Sequence, residues 1–246
     1  MRTIERDGKR LAYAATGGAG PGVVFLGGFR SDMTGTKAVA LEAWATRRGR
    51  AFLRLDYSGH GASEGAFEDG TIPSWRDDAV AVIEAAADGP QVVVGSSMGG
   101  WIALLIARDR PDLVAGLVTV AAAPDFTEDG YWASFDDAQR RALTQEGRVA
   151  VPSDYGEPYV ITRALIETGR DALVLRDPLR LDVPVRMLQG TADADVPQDW
   201  ALRLMGHLDT DDAALTLVKG ADHRFSDDRC LRLLEAAVED VLAAVR

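Results

Sequence analysis

Cysteine is nearly missing. Cys230 is the one thiol in 246 residues, which excludes a disulfide framework and a cysteine-based zinc site. It opens the last apolar helical stretch, where a small buried hydrophobe is its plainer role. Long apolar runs are missing as well, and nothing approaches the roughly 18 apolar residues of a membrane-spanning helix. Positive charge is scarce, with 27 Lys and Arg against 38 Asp and Glu. The net charge of −11 and pI near 4.8 speak against nucleic acid or an anionic membrane as partner. The first residues, MRTIERDGKRLAYAATG, include acidic side chains and no apolar core, so the expected compartment is cytoplasmic.

What remains is an ordinary core-forming chain, 47% hydrophobic, without internal repeats or low-complexity linkers. Its length suits one domain over 1–246. Asp7-Gly8 between two short strand patterns reads as a hairpin. Next come GVVFLGG, TKAVALEAWATRRG, AFLRLDY, SWRDDAVAVIEAAADG, QVVVGSS, an apolar helix and LVAGLVTVAAA. Apolar strands alternating with helical patterns give parallel βαβ units. Ser74 is a candidate N-cap for the helix that begins at Trp75. The rhythm then breaks, and residues at about 125–182 read as an inserted lid of two helical patterns. VPVRMLQG and AALTLVKG restore the sheet, and CLRLLEAAVEDVLAAVR closes the chain as an amphipathic helix. The expected fold is α/β, a mostly parallel central sheet with helices on both faces and a small helical lid.

One strand ends abruptly. In QVVVGSSMGGWIALLIA the buried strand turns into an apolar helix through Gly95-Ser96-Ser97-Met98-Gly99. This matches G-x-S-x-G, a turn that lifts one hydroxyl above the end of a sheet. A second match, Gly61-Ala62-Ser63-Glu64-Gly65, follows no apolar strand and precedes no helix. Ser97 is therefore the candidate nucleophile and Ser63 the decoy.

A serine hydroxyl needs a base, and the base needs an orienting group. With three histidines in the chain, the search is short. His223 follows a predicted strand within a few residues, where parallel sheets gather catalytic groups. His60 sits in a glycine-rich turn and His207 in a helical pattern. For the acid, Asp193 in GTADADVP lies after the preceding strand and fits the order Ser, Asp, His. Asp195 in the same loop is its rival; Asp222 is weaker, because adjacent side chains in extended backbone point apart. Backbone N–H groups of Met98, after the nucleophile, and Phe29, after Gly27-Gly28, are candidate oxyanion donors.

These residues resemble those of the serine α/β hydrolases. Within that family they are similar to the group of the mammalian α/β-hydrolase-domain-containing protein ten, palmitoyl-protein thioesterases and acyl-glucuronide esterases. The likeness runs through TGTKAVALE, LRLDYSGHGASEG, DGPQVVVGSSMGGW, RVAVPSDYG, QGTADADVP and ADHRFSD. It implies the α/β-hydrolase fold, Ser97 as nucleophile, Asp193 as acid, His223 as base, and Phe29 and Met98 as oxyanion donors. By the same likeness His60 falls in a structural turn. The mammalian members are mitochondrial, whereas this chain begins almost at its first hairpin, so the cytoplasmic expectation is kept.

The function expected is a serine hydrolase cleaving a carboxylic ester or thioester through an acyl-enzyme, with no metal and no cofactor. Its partners would be a small acyl ester or thioester or an acylated protein, with no nucleic acid and no membrane span. Two readings stay open beside it: a cofactor-free oxidative or C–C-bond enzyme on the same fold, and a binding protein that has lost its chemistry. The lid aromatics Phe126, Tyr131, Trp132, Phe135, Tyr155 and Tyr159, in a chain with 7% aromatics, either wall an acyl pocket or pack the lid down.

Overall fold

The computed structural model describes residues 1–153 and 157–245. Two strands, β1 (Arg2–Arg6) and β2 (Lys9–Thr16), form the expected hairpin. Asp7 and Gly8 both take positive φ at its turn, the conformation that hairpin geometry requires. The alternation follows as β3 (Ala19–Leu26), α1 (Thr36–Arg48), β4 (Arg50–Leu55), α2 (Ile72–Ala86), β5 (Gln91–Ser96), α3 (Met98–Asp109) and β6 (Val114–Val120).

The cap of α2 corrects the sequence reading. Thr71, not Ser74, is the N-cap, and Ser74 is its partner in a capping box. Pro73 sits in the first turn, where its missing N–H would be unpaired anyway, so the helix starts earlier than the Ser74 signal suggests.

The region expected as a lid is less helical than its sequence pattern. Phe126–Trp132 winds as a π-helical turn. There follow α4 (Asp137–Glu146), a pair of short antiparallel strands β7 (Arg148–Val151) and β8 (Tyr159–Thr162), α5 (Arg163–Arg170) and the two-residue β9 (Leu179–Arg180). The chain finishes with β10 (Val185–Gly190), α6 (Gln198–His207), β11 (Leu208–Asp209), β12 (Ala213–Val218) and α7 (Asp228–Ala244).

The main sheet runs β1-β2-β4-β3-β5-β6-β10-β12. It is parallel from β4 to β12 and antiparallel at the hairpin end. Alternate side chains of one strand face opposite layers. Val92 and Val94 pack with α1 and α7, through Leu41, Trp44, Leu234 and Val238, while Val93 packs with α2 and α3, through Trp75, Ile83 and Ile102. Both faces are thus covered, which is why these strands are apolar throughout.

Register levels the strand ends. Leu26 pairs with Gly95, Ser96 with Val120, and Leu188 with Val120, so the loops after β3, β5, β6 and β10 leave one edge together. Strand order also reverses between β3 and β5, the place where open α/β sheets form a crevice.

Candidate active site

Ser97 stands between β5 and α3 with φ +55° and ψ −119°, a left-handed backbone that non-glycine residues avoid. The flanking glycines explain how the turn is reached. A Cβ on Gly95 would lie 2.3 Å from the carbonyl oxygen of Gly99, and one on Gly99 would lie 2.2 Å from that of Leu26. Strand and helix therefore pass closer than any side chain allows. The loop after β3 also crowds the serine, since a Cβ on Gly28 would sit 3.3 Å from Ser97 Cβ. Tyr57 Oη donates to the Gly27 carbonyl at 3.2 Å and holds that loop.

Among the described residues, the N–H groups of Phe29 and Met98 donate to no protein acceptor. That of Met98 lies at the N-terminus of the twelve-residue α3, where the helix dipole favours negative charge. The Phe29 ring meets Phe67, Trp75, Phe126, Tyr131 and Tyr159, so aromatics from both ends of the crevice fix this loop jointly.

On the other side of the crevice, His223 Nδ1 donates to Asp193 Oδ2 at 2.9 Å and lies 3.1 Å from Oδ1. The carboxylate can only accept, so the proton belongs on Nδ1 and Nε2 is left as the basic nitrogen. Asp193 Oδ1 accepts the N–H of Asp195 at 3.0 Å and of Val196 at 2.8 Å. Two loops are tied together here, for Ala192 N–H donates to the Ala221 carbonyl. A Cβ on Gly190 would lie 2.2 Å from that same oxygen. Lys37, in the first turn of α1, reaches across to the Arg224 carbonyl, and burial pulls its ammonium down to about 8.

The structure gathers Phe29, Ser97, Met98, Asp195 and His223 around one cavity of about 780 Å³, with Asp193 behind the histidine. Other sequence candidates fall elsewhere. Asp222 caps its own loop through the Phe225 N–H. His207 bonds the Arg203 carbonyl at the end of α6. His60 is buried against Tyr57, Phe67 and Trp75, and burial pushes its imidazole down to about 4, so it stays neutral. Ser63 bonds backbone on two sides, donating to the Asp56 carbonyl and accepting the Ala12 N–H. Asp193, Asp195 and His223 bring ligating atoms within 4.8 Å of one another, but the first and last already satisfy each other as a hydrogen-bonded pair.

Three of the lid aromatics, Phe126, Tyr131 and Tyr159, line the cavity. Two do not: Phe135 is buried in the core and stacks on Tyr131, while Trp132 lies under the Arg140 and Arg170 guanidinium groups. Tyr155 lies outside the described residues. Sequence reasoning missed Trp200 of α6, which joins the wall, although its place just after the acid loop was a signal. Trp101 belongs to the core, its Nε1 donating to the Ala172 carbonyl at 3.0 Å. Asp125 joins the two ends of the stretch expected as a lid. Its carboxylate accepts the N–H groups of Val174 and Leu175 and meets Arg176 at 3.2 Å.

The family model described as serine aminopeptidase, S33, matches residues 22–154, just over half of the chain. The chain belongs to the α/β-hydrolase family. It is an enzyme, a hydrolase with that family's fold. It is 34% identical to the Homo sapiens palmitoyl-protein thioesterase ABHD10, mitochondrial, over 238 residues, 96% of this chain and 78% of that protein. The solved mouse α/β-hydrolase domain-containing protein 10 superposes with a TM-score of 0.92 at 32% identity, covering 100% of this chain and 99% of that one. An Agrobacterium vitis S4 hydrolase gives 0.91 at 40% identity, covering 100% and 97%.

One expectation is overturned by these relatives. The thioesterases from human, mouse and cattle are named as mitochondrial, so the cytoplasmic assignment does not stand. It rested on the first residues, with their acidic side chains and no apolar core, and on the hairpin that follows them, neither of which names a compartment. Among the described residues no helix is long and apolar enough to cross a membrane.

Proposed function

We propose that this hydrolase cleaves carboxylic ester or thioester bonds of an acyl substrate through an acyl-enzyme on Ser97, within one domain whose lid spans about 125–182. The observation that carries the reading is the Asp193–His223 pair opening on the same cavity as Ser97. In this scheme His223 Nε2 takes the hydroxyl proton as Ser97 attacks the acyl carbon, and Asp193 stabilises the imidazolium. The N–H groups of Phe29 and Met98 receive the oxyanion. His223 returns the proton to the departing alcohol or thiol; water then repeats the sequence and frees the acid. Names of relatives support the class, since they are thioesterases and esterases. A serine-reactive fluorophosphonate probe tests it: labelling of wild type that is absent in Ser97→Ala supports the scheme, and unlabelled wild type overturns it.

Acyl length is set by the lid side of the cavity, where Phe126, Tyr131, Tyr159 and Trp200 supply apolar wall. Each methylene taken from water contributes up to about 0.8 kcal/mol. With one leaving group, kcat/KM is expected to climb several-fold per two carbons from acetyl toward octanoyl. Trp200→Ala should flatten that slope. A series that is flat or falling in wild type shows a short pocket and removes the fatty-acyl reading. Matched esters and thioesters of the preferred length then assign the leaving group.

A further inference from the structure

Gln189 is the penultimate residue of β10 (Val185–Gly190) and is fully buried. Its Nε2 donates to Asp193 Oδ2 at 3.0 Å, to the Val196 carbonyl at 2.8 Å and to the Gly190 carbonyl at 3.3 Å. All three partners are acceptors, so the amide cannot be turned over. The consequence falls on the other end of the group: Oε1 is buried and finds no partner among the described residues. An unpaired buried acceptor is destabilising, and an apolar residue of similar length would avoid it. The side chain is therefore retained for its nitrogen.

We propose that Gln189 is a positioning residue for the Asp193–His223 pair, acting as a neutral donor that fixes the plane of the carboxylate and spreads its charge. The inference rests on the reading that this pair drives hydrolysis at Ser97. Two backbone N–H groups hold Oδ1, but Oδ2, the oxygen nearest His223, has among the described residues only the histidine and Gln189 as partners. Without the amide, Oδ2 is free to swing and its charge is concentrated on the histidine. The imidazolium is then favoured before substrate arrives, and the free base is populated only at higher pH.

Other charges around His223 are Asp195 from the acid loop, Asp222 and Arg224 from its own loop, and Lys37 from α1. All are unchanged by substitution at 189. The test is the pH dependence of kcat and KM on a nitrophenyl acyl ester for wild type, Gln189→Met, Gln189→Glu and Ser97→Ala, with melting temperature recorded for each. Gln189→Met should lower kcat about 10- to 100-fold, the size of one lost hydrogen bond to a charged group, with KM almost unchanged. The acid limb of kcat/KM should move to higher pH. Gln189→Glu keeps the shape but sets a second carboxyl against Asp193, so its limb should move further.

A folded Gln189→Met with wild-type kcat and an unmoved limb, whatever its melting temperature, overturns the proposal. If that variant does not fold, the same outcome in Gln189→Glu overturns it. An active Ser97→Ala instead overturns the reading of the whole site. A dead Ser97→Ala beside an unaffected Gln189 variant removes the positioning role alone.

Discussion

Ser97→Ala is expected to lose about 10⁶ in kcat, the usual effect of removing the nucleophile of a coupled triad, together with all fluorophosphonate labelling. The fold should survive. Among the described residues the hydroxyl makes no protein hydrogen bond, and alanine keeps the Cβ that the elbow already accommodates. Ser63→Ala is the control, because that serine belongs to the other G-x-S-x-G match. Its hydroxyl joins Asp56 and Ala12 at 2.6 and 2.8 Å, tying β2 to the glycine-rich turn. Its loss should cost about 1 kcal/mol of stability and leave kcat alone. Equal loss of activity in the two variants would sink the elbow assignment.

Asp193→Asn should lose about 10⁴ in kcat, as expected when the group that fixes a histidine tautomer becomes an amide. Geometry dictates which way the asparagine turns. Two N–H groups point at the Oδ1 position, so the amide oxygen must go there and the NH₂ must face Gln189 Nε2 and His223 Nδ1. Donor then meets donor twice. Histidine can answer only by moving its proton to Nε2, which abolishes the base; Gln189 has no such escape. The buried donor clash should also cost about 1–3 kcal/mol of stability. Asp195→Asn, on the cavity wall, should keep most of its rate. If kcat profiles show Asp195→Asn as the dead variant, the acid has been assigned to the wrong carboxylate.

Much of this site was legible because backbone constraints write themselves into residue type. Gly95 and Gly99 are needed by a close strand–helix passage, and the order of Ser97, Asp193 and His223 follows strand ends that the apolar pattern reveals. The lid was harder. β7 and β8 are four residues each, too short for a period-two pattern to stand out, and the aromatics divide between wall and core according to tertiary direction. Gln189 did leave a trace, as an amide beside the glycine that ends β10, but its partner Asp193 lies in a loop whose course no periodicity describes. The compartment left none, since the acidic first residues carry no address that residue chemistry can read.

The left-handed backbone at Ser97 also governs how such a sequence drifts. Glycine takes φ +55° with no Cβ in the way, and relieving strain of this kind is worth about 1–3 kcal/mol, a large part of the roughly 5–15 kcal/mol that holds a domain folded. On the proposal that Ser97 is the nucleophile, the need for its hydroxyl opposes that gain. Where that need is absent, substitution at position 97 has a preferred direction, toward glycine. The bias can be read directly in this chain: Ser97→Gly and Ser97→Ala lack the same hydroxyl, and the glycine variant should unfold at the higher temperature.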